Sequence, residues 1–171
     1  LENIILVIVL FICLITDITS RKILNIITLP TIVFGLIYNI LSTGFAGFLF
    51  SGKGFLVGLA LLLIPYLLGG MGAGDVKLMA AIGALMGTSY VFYSFIYTAL
   101  IGGVIGILLI FKSRGLVNTM KSFFLNVTNV FFFRSNLGTV IIPKDRTGSI
   151  TFPYGVAIVL GTLCTLVWGG F

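Results

Sequence analysis

The stretch Gly69-Gly70-Met71-Gly72-Ala73-Gly74-Asp75-Val76-Lys77 decides how the whole chain is read. Apolar segments flank it, four glycines crowd into it, and it runs into an acid in a protein that has only four acidic residues. Glycine gives the backbone access to positive φ and lets neighbouring segments come close. The acid is placed at membrane depth, where an ionisable group is expensive and is read first as functional. A second acid, Asp17, stands at the end of the first apolar segment, in Thr16-Asp17-Ile18-Thr19-Ser20-Arg21-Lys22. We read the two carboxylates as one site.

Working outward, composition identifies the solvent. With 59% hydrophobic and 8% charged residues and a mean hydropathy of +1.26, the chain is expected to fold in a bilayer. The 22 glycines suit helices that pack closely in lipid. Gly54/Gly58, Gly83/Gly87 and Gly102/Gly106 each show the four-residue spacing of a close-packing face. A net charge of +6 is read as a topology and headgroup signal, not as a nucleic-acid surface. Histidine is absent, which removes the commonest general base and metal ligand. Cys13 and Cys164 lie inside apolar segments without a C-x-x-C pair, so neither a disulfide framework nor a zinc site is supported. No cofactor or metal is expected.

Apolar runs at Ile4–Ile18, Ile26–Leu41, Gly54–Leu68, Val76–Met86, Tyr90–Phe111 and Ile150–Trp168 predict an all-α polytopic membrane protein, a bundle of about six transmembrane helices. The first run is short for a span, so its helix is expected to continue through Asp17 toward Arg21 and Lys22. Six alternating spans put nine of the ten basic residues on one face, with Lys53 alone opposite. The positive-inside bias then makes that face cytoplasmic, with both termini outside. Both acids fall at its depth. The connection 112–149 carries Met120, Phe123, Phe124, Val127 and Phe131 at helical spacing, which predicts a helix lying on the cytoplasmic leaflet. The whole chain, 1–171, is read as a single integral-membrane domain.

Each acid also has a plain structural reading. Asp17 and Arg21 are four apart and can pair on one helical face. Asp75 can cap the fourth helix. As a pair, they allow amide hydrolysis with no metal, histidine or activated serine or cysteine. One carboxylate deprotonates a water while the other polarises the carbonyl and later protonates the leaving amine. Close approach in a low dielectric keeps both from ionising together. The non-enzymatic alternative is a small proton- or cation-coupled transporter or channel that uses the same two acids.

Gly72-Ala73-Gly74-Asp75 is a G-x-G-D motif, continued as Val76-Lys77-Leu78. Asp17-Ile18-Thr19-Ser20-Arg21-Lys22-Ile23-Leu24-Asn25 resembles the D-x-x-x-R-x-I-P-N signature of type IV prepilin peptidases, and Phe152-Pro153-Tyr154-Gly155 is similar to that family's lead-in to its last span. The resemblance implies an aspartic endopeptidase of the prokaryotic inner membrane. Such an enzyme removes the short basic leader of a membrane-inserted prepilin, pseudopilin or archaellin-like precursor at the cytoplasmic face. It carries over Asp17 and Asp75 as the catalytic pair, Gly72 and Gly74 as loop backbone, and Arg21, Asn25 and Lys77 as support. Leu24 stands where the family usually has proline, so a differently shaped turn is expected there. The cysteine-rich insertion of larger members has no counterpart in this sequence. The chain therefore resembles the compact, peptidase-only branch, for which methylation of the new terminus is not expected. Presenilin-like enzymes also carry G-x-G-D, but the Tyr-Asp and Pro-Ala-Leu partners expected of them are not seen.

Overall fold

In a computed structural model, residues 2–20, 23–67, 70–112 and 154–168 are described. They form five helices: α1 (Glu2–Ser20), α2 (Asn25–Thr43), α3 (Phe45–Leu67), α4 (Ala73–Lys112) and α5 (Tyr154–Trp168). The expected interfacial helix lies outside the described residues. The chain divides into two compact units, Leu1–Val104 with Pro153–Phe171, and Ile105–Phe152. The site and the packing around it belong to the first unit. Four of the helices are long and apolar enough to cross a membrane, and α5 is a shorter apolar helix. With Ile4, Ile8, Phe11, Ile15 and Ile18 exposed along α1 alone, the protein is a multi-pass, all-helical membrane protein.

α4 comprises two helices that meet at a break at Gly87, and its two arms are the predicted fourth and fifth helices. Its apolar part is 36 residues long. Straight, it would reach about 54 Å at ~1.5 Å per residue, against a hydrocarbon core of about 30 Å. Gly87 resolves the mismatch with non-helical angles, φ 82° and ψ −177°, a conformation that favours glycine. A side chain there would also collide with the Phe50 ring.

Contacts on either side of Gly87 show that the two arms of α4 fold back on each other. The first arm runs along α3, with Gly54 against Gly83 and Gly58 against Met79. The second runs along α5, where Tyr90 Oη donates to the Thr162 carbonyl at 3.0 Å and Ser94 Oγ to Thr162 Oγ1 at 2.8 Å. A β-carbon on Gly102 would stand 3.5 Å from Ala157 Cβ. Asp75, at the opposite end of this run of residues, is within electrostatic range of Asp17, which is itself bonded to the start of α5. Both ends thus meet the same end of the bundle.

A helix broken in lipid leaves carbonyls without partners, and no water is at hand to satisfy them. Side chains of α2 and α3 supply the missing donors. Ser51 Oγ donates to the Ala84 carbonyl at 2.6 Å, and Asn39 Nδ2 reaches the Leu85 carbonyl at 3.4 Å and the Gly35 carbonyl at 2.9 Å. Ser51 and Asn39 are both buried. The break at Gly87 is therefore built into the fold.

The first arm of α4 is the hub. Val76, Leu78, Met79, Ala80, Ala81, Ile82, Ala84 and Leu85 are all buried, so this stretch is enclosed on every side, as a central helix must be. Alanine and glycine on it let α2 and α3 approach to backbone distance, with Gly35 against the Ala84 carbonyl as well as the α3 contacts. Leu6, Leu10 and Cys13 of α1 and Ile158 and Val159 of α5 belong to the same core. Of the three glycine pairs read from spacing, Gly54/Gly58 and Gly83/Gly87 make close approaches. Gly102 makes an ordinary contact, and a β-carbon on Gly106 would meet nothing within 4 Å.

Candidate active site

Asp17 lies one turn from the end of α1, as the extended first helix requires, and is 5% exposed. Its Oδ2 accepts the Val156 backbone N–H, 139 positions away, at 3.2 Å. That amide belongs to the first turn of α5, where helical N–H groups have no partner within the helix and a negative charge is favoured. Gly155 makes the approach possible. A β-carbon on it would lie 2.6 Å from Asp17 Oδ2 and 2.8 Å from Asp17 Cγ.

Asp75 is 8% exposed and is not the cap that its position suggested. α4 begins at Ala73, so Asp75 is its third residue. The carboxylate reaches backward, with Oδ2 accepting the Gly72 N–H at 3.0 Å. The Asp75 N–H in turn bonds the Gly72 carbonyl at 3.2 Å. This is the acidic half of a capping box. Gly72 therefore serves through its amide. Gly74 serves through its missing side chain: a β-carbon would lie 2.9 Å from Ile23 Cβ and 3.2 Å from the Ile23 carbonyl oxygen. Among the described residues only Gly44 and Gly87 take positive φ, so close approach, not a left-handed backbone, is what Gly74 provides, while a β-carbon on Gly72 would make only an ordinary contact, 3.4 Å from Asp75 Oδ2.

Two residues from separate motifs, Asn25 and Lys77, meet directly. Lys77 Nζ donates to Asn25 Oδ1 at 2.9 Å, joining the start of α2 to the start of α4. Arg21 lies outside the described residues, so its pairing with Asp17 does too. Leu24, in the proline position, has φ −78° and ψ 129°. That φ is one proline itself adopts, while Arg21 and Lys22, the rest of the turn, lie outside the described residues. Among the described residues no group of three or more histidine, cysteine, aspartate or glutamate side chains could hold a metal ion.

The first turn of α5 is the part of this region that sequence reasoning left without a role. Val156 and Gly155 touch Asp17, and Tyr154 is within electrostatic range of Asp75. The Phe152-Pro153-Tyr154-Gly155 motif was visible in the sequence, but an amide and an absent side chain leave no chemical signature.

Asp17 and Asp75 are thus two buried acids from separate helices of a multi-pass bundle, within electrostatic range of each other. Over residues 4–107 the chain matches the type IV leader peptidase family, a stretch that holds both acids and most of the chain. It belongs to that family, and so to the peptidases. No curated protein and no solved structure matches it.

Proposed function

We propose that the protein is an aspartic endopeptidase that removes the basic leader of a prepilin-like precursor at the cytoplasmic face of the membrane, with Asp17 and Asp75 as its catalytic pair. The single observation behind this reading is that the two acids are both buried and lie within electrostatic range of each other. Each has Oδ2 engaged by a backbone amide, from Val156 and from Gly72. We assign the other oxygen of each carboxyl to the reaction.

One carboxylate takes a proton from the attacking water while the other, protonated, hydrogen-bonds the scissile carbonyl. The resulting tetrahedral carbon collapses by breaking the C–N bond. The acid that polarised the carbonyl gives its proton to the departing amine, and the proton taken from water stays on its partner, so the pair again shares one proton. No metal or cofactor takes part in these steps.

A precursor with a basic leader followed by an apolar helix carries its scissile bond near the membrane interface, the depth at which both acids are expected. The main chain ahead of α4, from the Gly70 carbonyl through Met71, can pair with the leader in extended form. Positive-inside bias sets this end of the bundle in the cytoplasm. The test is purified protein in liposomes with a membrane-inserted prepilin-like precursor, read by cleavage beside an ion-flux trace. Leader release without flux is expected. Flux without cleavage would overturn the assignment in favour of a transporter.

A further inference from the structure

The geometry points to the first turn of α5 as the device that positions Asp17 for catalysis: the Val156 N–H fixes one carboxylate oxygen, and Gly155 supplies the space in which that carboxylate turns. The inference rests on the two-aspartate reading and extends it to residues outside both acid motifs. Two independent observations carry it.

The first is the hydrogen bond from Val156 to Asp17 Oδ2 at 3.2 Å. It ties one carboxylate oxygen to the far end of the chain and so sets the direction of the other. The second is steric. The nearest atoms to a β-carbon on Gly155 are all from Asp17: Oδ2 at 2.6 Å, Cγ at 2.8 Å and Cβ at 3.2 Å. Other close-approach glycines of the bundle, Gly54, Gly58 and Gly83, lie against backbone atoms of neighbouring helices, and Gly161 against the hydroxyl and backbone of Thr98. Gly155 instead lies against a functional side chain. Replacing it moves the acid and not a helix.

α5 also packs along the second arm of α4 through Tyr90, Ser94 and Thr98, which meet Thr162 and Gly161. The seat of Asp17 is thereby anchored to the rest of the fold. Misplacing a catalytic group by about 1 Å can cost on the order of a hundredfold in rate. Gly155 and Val156 are accordingly positioning residues, acting through Asp17.

Two substitutions test this. Gly155→Ala fills the space, and Val156→Pro deletes the amide at a first-turn position that tolerates proline. Each variant is purified as the full chain and assayed for cleavage of a prepilin-like precursor, with Asp17→Asn and Asp75→Asn alongside. We expect kcat to fall at least about tenfold with KM within about twofold, the pattern of a lost transition-state interaction. Wild-type kcat in both variants, with both aspartate variants inactive, would overturn the positioning role and leave the two-aspartate reading intact. Cleavage by an aspartate variant would overturn both.

Thermal unfolding supplies a readout independent of turnover. Gly155→Ala is measured with Asp17 present and in an Asp17→Ala background. The destabilisation, or failure to fold, should be relieved when the carboxylate is removed. An equal loss in both backgrounds would show that Gly155 serves helix packing instead.

Discussion

Lys77 Nζ bonds Asn25 Oδ1 at 2.9 Å across 52 positions of sequence, so the segment after Asp17 and the helix that carries Asp75 are tied together at their exposed ends. The bond holds α2 and α4 at one level and keeps Gly74 against Ile23. Because the pair is exposed, its contribution to stability is small, about 0.5–1 kcal/mol. Lys77→Met and Asn25→Leu should therefore lower the melting temperature only slightly while reducing precursor cleavage several-fold. The double variant should be no worse than either single one, because both remove the same tie. Thermal unfolding and initial cleavage rates on the three variants check this.

Ser51 offers a sharper stability test. Its hydroxyl donates to the Ala84 carbonyl in a buried setting, and Ser51→Ala leaves that oxygen facing apolar side chains. A loss of about 1–3 kcal/mol is expected. Ser42→Ala removes a bond of the same kind, to the Tyr38 carbonyl, in an exposed position, and should change stability by less than about 0.5 kcal/mol. Denaturation of the two variants in the same detergent compares them directly.

Leu24→Pro should be accepted. The residue already holds φ −78°, and fixing that angle restricts the unfolded chain more than the folded one. A gain of about 0.4–1 kcal/mol follows where the native backbone suits proline, with cleavage unchanged. A melting curve with an activity assay decides it.

The two acids were legible because charge is rare in this sequence and expensive in lipid. Some helix ends were legible: the second run was expected from Ile26 and α2 begins at Asn25, and the third was expected to stop at Leu68 and α3 stops at Leu67. The start of α3 was not, since it begins at Phe45 and not at Gly54, the glycines between being helical. Gly87 was visible as a gap between two runs, though the fold-back there was not, since periodicity does not report φ. The role of the first arm of α4 was hidden for a related reason. A short run of alanine, glycine and aliphatic residues reads alike as a peripheral span or as the enclosed centre of the bundle. Only the contacts from Gly35, Gly54 and Gly58 distinguish the two.

The contribution of α5 was the least legible part of the site. Val156 acts through a main-chain N–H and Gly155 through the atoms it lacks, so neither residue type announces the chemistry. Asp75 was read as a cap in the forward sense. Its backward bond to Gly72 depends on α4 starting at Ala73, a boundary that the apolar pattern alone places later.

The most direct measurement is mass spectrometry of the amino terminus of a prepilin-like precursor, co-expressed with the wild-type chain and with Asp17→Asn or Asp75→Asn. With the wild-type chain, the precursor should lose its basic leader at one bond. With either variant, accumulated in the membrane at wild-type level, the leader should stay attached. A mature terminus produced by Asp17→Asn or by Asp75→Asn would contradict catalysis by the two acids together.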